Sequence, residues 1–287
     1  MDLIEVFQPE TLQEAKELLN NLSKVKLLAG GTDLIIDLNK NKTEADYLVD
    51  LTKIEELKKI KDFAHHIIIG SMATFTDILE NDIFINRFTC LRDCSELMGS
   101  PQIRNRATIG GNIINGAAAA DIVPCLMSLN AVLIIESIST RRLVRCDDYF
   151  LKHNQYKIES NELLVGIILN DRNELSGFYK LGKRNSLSIA RLSASISFNL
   201  VENKLHNIKV ALGAVGKHPF RAYELEYLAH GKDYRYLLKR ELLDILEERV
   251  YRSIKDRPTL PFKREAVKGV YTEAVKKALA KGGVAIE

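Results

Sequence analysis

Tryptophan is absent from the 287 residues, so no indole can serve as a platform for a base or another planar ring. Cysteine is scarce: Cys90, Cys94, Cys125 and Cys146 are the whole supply. They form no C-x-x-C pair and have no neighbouring His, which argues against an iron–sulfur cluster held within this chain. They read instead as four free thiols, packed in a reducing compartment. An excess of one charge is missing too. Lys and Arg number 41 against 38 Asp and Glu, a net of +3, and the basic residues are scattered without interleaved aromatics. That excludes the signature of a nucleic-acid binder. No apolar run approaches the roughly 20 residues of a membrane span. Met1-Asp2-Leu3-Ile4-Glu5 has neither the basic nor the apolar stretch of a secretory signal. A cytoplasmic protein is expected, with no membrane and no nucleic-acid partner. Internal repeats and low-complexity segments are also absent.

What is present is the balance of an ordinary globular protein, 46% hydrophobic and 28% charged, in a chain long enough for two or three lobes. Thr11 to Leu22 predicts an amphipathic helix, with Thr11 and Glu14 spaced as a capping box. Lys24 to Ala29 predicts a strand that runs into Gly30-Gly31, with Thr32 or Asp33 capping the helix that follows. Further strands are expected at Tyr47 to Leu51, His66 to Ile69, Ala131 to Glu136 and Leu163 to Leu169, and a helix at Thr89 to Met98. The segment from Ser100 to Asn112 breaks both periodicities and reads as a glycine-containing loop. Beyond about Gly177 the character changes. Ser193 to Val201 and Ile208 to Val215 read as strands of an antiparallel sheet. Long helices follow over Tyr234 to Ile254 and Arg264 to Lys281, separated by Pro258 and Pro261 and ended by Gly282-Gly283. A boundary is expected between domains 1–172 and 173–287, the first with lobes of about 1–55 and 56–172.

Four constellations carry chemistry. In Leu27-Leu28-Ala29-Gly30-Gly31-Thr32-Asp33-Leu34, a strand, two glycines and a helix start make an anion site, because glycines let backbone N–H groups approach phosphate and first-turn amides are unpaired. Alone, this pattern also describes a tight turn. It is neither G-x-G-x-x-G nor a P-loop, which disfavours a Rossmann or Walker-type nucleotide site. Thr108-Ile109-Gly110-Gly111-Asn112 offers a second close-approach backbone with a hydroxyl and an amide. Arg104 and Arg106 lie just upstream, either as anion partners or in surface salt bridges. Asp121 ends Gly116-Ala117-Ala118-Ala119-Ala120. Four alanines leave room for a flat ligand, and the carboxylate can accept from it or cap the next helix. In Phe178-Tyr179-Lys180-Leu181, Lys180 reads either as an exposed strand lysine or as a cation beside a redox ring. No nucleophile–base pair and no carboxylate dyad is visible, and adjacent His65 and His66 cannot share a metal from opposite strand faces.

Taken together and in order, these segments resemble a known family. The motifs are Leu28-Ala29-Gly30-Gly31-Thr32-Asp33, Ile69-Gly70-Ser71-Met72-Ala73-Thr74-Phe75-Thr76, Pro101-Gln102-Ile103-Arg104-Asn105, Thr108-Ile109-Gly110-Gly111-Asn112, and Asn115-Gly116-Ala117 with Asp121 and Pro124. The chain resembles the FAD-binding medium subunits of the xanthine dehydrogenase family of molybdenum hydroxylases. Phe178 to Arg191 is similar to the flavin-side loop of that family, and Leu212-Gly213-Ala214-Val215 with Pro219 and Arg221 to its C-terminal domain. Among bacterial members, Asn115-Gly116-Ala117 is most similar to a separate-subunit xanthine dehydrogenase. The resemblance implies an α+β fold: a two-lobed PCMH-type (vanillyl-alcohol-oxidase-like) FAD-binding domain, then a CO-dehydrogenase-flavoprotein-like C-terminal α/β domain.

The resemblance also implies roles. Leu27, Leu28, Ala29, Gly30, Gly31, Thr32, Asp33 and Leu34 would wrap the FAD diphosphate. Thr108, Ile109, Gly110, Gly111 and Asn112 would cover its other side. Asp121, Leu164, Lys180 and Met98 would neighbour the flavin. No catalytic residue and no metal ligand is implied on this chain. Partners would be a small subunit with two two-iron/two-sulfur clusters and a large molybdopterin subunit, with NAD as an electron acceptor. The substrate of the large subunit would be xanthine or, in related hydroxylases, nicotinate, an aldehyde, an aromatic thioester or carbon monoxide. A stand-alone FAD-binding protein is another reading. A self-contained flavin reductase of the sugar-nucleotide type is a further one, which would need a substrate-protonating residue. The sequence departs from the family at Ala117-Ala118, where many members have Ser-Pro or Asp-Pro, and at Lys183-Arg184-Asn185, where they carry paired arginines.

Overall fold

A computed structural model describes residues 4–182 and 190–284. Lys183, Arg184 and Asn185 therefore lie outside the described residues. The described residues build three sheets. The first lobe contains β1 (Glu5–Phe7), α1 (Leu12–Asn21), β2 (Val25–Leu28), α2 (Leu34–Asn39) and β3 (Tyr47–Asp50). Its strands are parallel in the order β1-β3-β2. Thr11 caps α1 as expected, its hydroxyl accepting from the Glu14 amide at 3.2 Å. Glu14 reaches back to the amide of Glu10 rather than that of Thr11, so the expected reciprocal box is not closed. Leu12, Ala15 and Leu19 of α1 pack on Val49 and Leu51, the apolar face that the sequence periodicity marks.

The second lobe contains β4 (Ile60–Asp62), β5 (His66–Gly70), α3 (Phe75–Glu80), α4 (Asp82–Asn86), α5 (Thr89–Leu97), α6 (Pro101–Arg104), α7 (Ile109–Asn115), α8 (Ile122–Ser128), β6 (Val132–Glu136), β7 (Arg141–Arg145), α9 (Cys146–Leu151), α10 (His153–Tyr156) and β8 (Leu163–Asn170). Its strands are antiparallel in the order β4-β5-β8-β6-β7. The helices cover a core that includes Phe75, Phe84, Ile109, Cys125 and Leu133.

The third unit contains β9 (Leu175–Leu181), β10 (Leu192–Val201), β11 (Lys204–Gly213), β12 (Phe220–Arg221), α11 (Tyr223–Ala229), α12 (Arg240–Ile254) and α13 (Leu260–Lys281). Its antiparallel sheet has the order β12-β11-β10-β9. β10 is covered on both faces. Leu192, Ala194, Ile196 and Phe198 join the core beneath α12 and α13. Ser193, Ser195 and Ser197 are buried as well. Ser195 hydrogen-bonds Ser128 of α8 at 2.7 Å, and the Ser197 hydroxyl donates to the Ser128 carbonyl at 2.7 Å. The alternation of serine with apolar residues thus marks a seam against the second lobe, in which the Ser195 and Ser197 hydroxyls are paired.

Two helix expectations are corrected. Tyr234 to Ile254 is not continuous: a 3-10 turn over Tyr234–Leu238, capped by Asp233, precedes α12. α13 begins at Leu260 rather than Arg264, with Pro261 in its first turn. Proline is tolerated there because a first-turn amide has no helical acceptor. Among the described residues, no helix is long and apolar enough to cross a membrane.

Candidate functional site

The two glycine motifs meet. After β2 the chain turns through Ala29, Gly30 and Gly31 into α2. Gly31 has φ of +71°, the left-handed region where a side chain would be strained. Gly30 lies against the backbone before Thr108: a Cβ on it would sit 1.9 Å from the Arg106 carbonyl oxygen. A Cβ on Gly111 would lie 3.9 Å from that of Ala29. Asn115 ties the same two segments together, its amide donating to the Asp33 carboxylate at 3.0 Å.

Their backbones are not equivalent. Among the described residues, the amides of Gly31, Thr32, Asp33 and Leu34 donate to no acceptor. The amides of Ile109, Gly110, Gly111 and Asn112 are all committed, to Ala73 O, Ser71 O, Thr108 Oγ1 and Thr108 O, at 2.9, 2.8, 3.0 and 3.0 Å. Gly110-Gly111 is therefore not a second amide-lined turn, as the sequence suggested. It is the first turn of α7, capped by Thr108. Gly110 is needed for close packing, since a Cβ would stand 2.6 Å from Ser71 O. Asp33 stands at the start of α2 without capping it, because Asn115 draws its carboxylate away. Leu27 and Ala29 pack towards the first core, and Leu34 on a small cluster with Leu38 and Leu48. Leu28, Gly30, Gly31 and Thr32 are half-buried.

Farther along, Gly116 ends α7 with φ of +57°. Ala117 to Ala120 leads to Asp121, just before α8. Oδ2 of Asp121 accepts from Lys180 Nζ at 2.5 Å, and the two side chains are 5% and 7% exposed. Both simpler readings are thereby corrected. Asp121 stands at the N-terminus of α8 without a capping bond, and Lys180 is an interior lysine. Burial pushes the Asp121 carboxyl above its ordinary range, against the pull of the neighbouring ammonium. Behind the pair, burial also raises the thiols of Cys94 and Cys125.

Leu164 lies buried in β8, in the core that also holds Ile109, Ala120 and Phe178, and half-buried Met98 packs on that core. Among the described residues Arg104 is in no salt bridge: it donates to the carbonyls of Met98 and Gly99 at 3.0 and 3.1 Å and fixes the loop after α5. Arg106 is exposed, and its contribution is the backbone that Gly30 meets.

Several buried polar atoms have no partner among the described residues: Ser71 Oγ, Asn112 Oδ1 and Asp121 Oδ1. Such atoms cost free energy unless a ligand or water meets them. Asn112 and Asp121 were expected from the sequence. Ser71 and Asn115 were missed as site residues, although Ser71 stands inside the quoted Ile69 to Thr76 motif. An open cleft of about 920 Å³ lies elsewhere, lined by residues that include Arg172, Leu175, Asn199, His206 and Val284. It holds none of the expected residues, and Asn199 and Asn207 within it pair with each other at 3.0 Å.

Residues 2–169 match the family described as FAD binding domain in molybdopterin dehydrogenase, and residues 177–278 match the CO dehydrogenase flavoprotein C-terminal domain. The nicotinate dehydrogenase FAD-subunit of Eubacterium barkeri is 31% identical over 275 residues, covering 93% of each chain. The xanthine dehydrogenase FAD-binding subunit of Escherichia coli O157:H7 is 26% identical over 292 residues, covering 98% of each. In solved structures, a carbon monoxide dehydrogenase chain from Hydrogenophaga pseudoflava superposes with a TM-score of 0.86 at 26% identity, over 97% of this chain and 98% of that one. The expected order, an FAD-binding domain followed by a CO-dehydrogenase-flavoprotein-like domain, is the order found. The narrower expectation of xanthine dehydrogenase is not singled out, since the nicotinate dehydrogenase subunit shares more identity.

Proposed function

The chain belongs to the FAD-binding medium subunits of the molybdenum hydroxylase and CO dehydrogenase family, and we propose that it is the electron relay of such a complex. In this reading it takes electrons from iron–sulfur centres on a small subunit and passes them to NAD or another acceptor. A large molybdopterin subunit carries out the hydroxylation. The complex is cytoplasmic, and the chain divides after residue 172 into its FAD-binding and C-terminal domains.

The residues present fit an FAD. Its diphosphate needs donors, and the amides of Gly31, Thr32, Asp33 and Leu34 are unspent. Asn112 Oδ1 and Ser71 Oγ are buried acceptors that await a donor, as ribityl hydroxyls would provide. Gly111 keeps the space beside Ala29 free of a side chain. The observation that carries the reading is Asp121. One of its carboxylate oxygens is held by Lys180, and the other is buried without a partner. A ring N–H or a ribityl hydroxyl would satisfy that second oxygen. FAD, when bound, stores two electrons and can release them together as a hydride. Lys180 places a positive charge at that end of the site, which favours a ring that gains electrons. The carboxylate partner moderates this effect by partly neutralising the ammonium. Met98 and Leu164 would supply apolar surface that keeps water from the ring.

The substrate binds the partner subunit. The relatives' names range over N-heterocycles such as nicotinate and xanthine, glyceraldehyde and carbon monoxide. An N-heterocycle is the class taken up first because the nicotinate dehydrogenase subunit shares 31% identity. The test is spectroscopic. The purified chain should show oxidised-flavin absorbance and release one FAD per chain on acid treatment. A colourless chain that cannot be reconstituted with FAD would overturn the assignment. In the native complex, nicotinate and xanthine should be compared for reduction of the bound flavin.

A further inference from the structure

One group of cations is left unused by the FAD reading. Arg191, just before β10, is held by its amide to Leu181 O at 2.8 Å. Its guanidinium lies over the ring of Phe262, 4.4 Å from the centroid. The next residue, Lys263, is half-buried in the first turn of α13 and donates to the carbonyl of Ala214. Arg257, exposed in the turn before α13, is the third member. Burial first, and then the charges of Arg257 and Arg191, lower the affinity of Lys263 for a proton. Among the described residues, none of the three pairs with a carboxylate.

The rest of the helix is treated differently. Arg264 and Lys268, a few residues on, both reach Glu247, at 3.4 and 2.5 Å. The first turn of α13 contains no acidic residue. Three like charges gathered without a counter-ion are unfavourable in the free protein. They become favourable when an anion of matching charge arrives, and guanidinium groups suit phosphate oxygens best. The cluster also lies at the flavin end of the molecule. Ala214, which receives Lys263, donates to Ala118 O at 2.8 Å, within the run that leads to Asp121. Two residues beyond Arg191, Ser193 is paired with Lys180 across the β9–β10 ladder.

We propose that Arg191, Arg257 and Lys263 form a second anion site that binds a phosphate or diphosphate group, separate from the FAD diphosphate grip at Gly31 to Leu34. Two sources share this chemistry: the diphosphate of a dinucleotide acceptor, and a free nucleotide that binds as an effector. Only the choice between them rests on the electron-relay reading.

The test uses the full FAD-loaded chain, titrated calorimetrically with pyrophosphate and with ADP at near-physiological salt. Both should bind. Lys263→Met and Arg257→Gln should each weaken binding about tenfold or more, as expected for loss of a charge-assisted contact. FAD content should be unchanged. Arg257 is exposed, so its variant separates binding from folding. If the source is the acceptor, NADH displaces pyrophosphate, and Arg257→Gln raises KM for flavin reduction by NADH while kcat is kept. If it is an effector, pyrophosphate binds and NADH does not compete. Absence of pyrophosphate binding, or affinity in both variants equal to that of the wild type, would overturn the site. If the chain carries no FAD, the relay reading fails while pyrophosphate titration of the same chain still decides this one.

Discussion

Lys180 Nζ and Asp121 Oδ2 meet at 2.5 Å across the boundary between the third sheet and the helices of the second lobe, both in the interior. Removing one partner of a buried pair leaves the other charge without compensation. Lys180→Met is expected to cost about 3–5 kcal/mol of stability in the FAD-free chain. The double variant Lys180→Met with Asp121→Asn should recover most of the loss, because no unpaired charge remains. Urea unfolding checks both. A Lys180→Met midpoint equal to that of the wild type would mean that the pair does not form in solution.

The glycines separate fold from ligand. Gly30→Ala and Gly110→Ala would bring a Cβ to 1.9 Å from Arg106 O and 2.6 Å from Ser71 O, and backbone cannot swing aside. Both should lower the melting temperature with or without FAD. Gly111→Ala meets no backbone: its Cβ would stand 2.9 Å from the Thr108 hydroxyl and 3.9 Å from the Ala29 Cβ. The hydroxyl would have to loosen its cap on the Gly111 amide, so a loss of only about 1 kcal/mol is expected. Gly111→Val projects a branch towards Ala29, where the diphosphate is expected, and should weaken FAD binding by far more than it lowers stability. Equal FAD affinity in Gly111→Val would remove the diphosphate from this seam.

Asn112 offers a cleaner contrast. Its Oδ1 is buried without a partner. Deleting an unsatisfied acceptor should leave the FAD-free chain as stable as before or slightly more so. The same Asn112→Ala change should reduce FAD affinity about tenfold, because the ligand loses an acceptor. Fluorescence titration with FAD, alongside thermal melts of the FAD-free chain, reads the two effects separately. A stability loss without FAD would show that Asn112 holds the fold rather than the ligand.

Much of this was legible in the residues because local patterns agreed with the tertiary structure. The strand into Gly30-Gly31, the cap at Thr11 and the apolar face of α1 rest on neighbours within a few residues. Gly110-Gly111 was misread as a loop because glycine lowers helix propensity locally, whereas Thr108 and the contact with Ser71 secure the helix from outside. Lys180 could not be read as buried from its strand, since its partner lies in another part of the sequence. The serine alternation of β10 likewise reveals a strand, but that its polar face is an interior seam depends on α8. The resemblance named Asp121 and Lys180 as neighbours of one ligand, but neither their pairing nor the serine seam was read from it.

The cysteines should be silent in the native protein. All four are buried and none is in a disulfide. Burial raises the thiols of Cys94, Cys125 and Cys146 above their ordinary range, so little thiolate is available to react. An aromatic disulfide reagent should label none of them in buffer and all four in strong denaturant. Rapid labelling of one thiol in buffer would show that the core around Asp121 opens.

Acid should act on the entry to β8. Arg142 holds the Glu162 carboxylate through two bonds of 2.8 and 2.7 Å, and the Glu159 amide adds a third at 2.9 Å. The Arg142 bonds, opposed by partial burial and helped by the Glu159 amide, keep Glu162 below the usual carboxylate range. The unfolded chain titrates near the ordinary value of about 4.3. The stabilisation is therefore complete above that pH and is lost as pH falls through the lower folded value. Arg142→Met should be less stable than the wild type at neutral pH, with the gap closing as pH falls through the lowered Glu162 value. Urea midpoints measured from neutral to acid pH give the comparison directly. Because Glu162 immediately precedes Leu163 and Leu164, the same variant should also loosen the N-terminal end of β8. A gap that stays constant with pH would assign the effect to lost packing of Arg142 against the 156–157 turn instead.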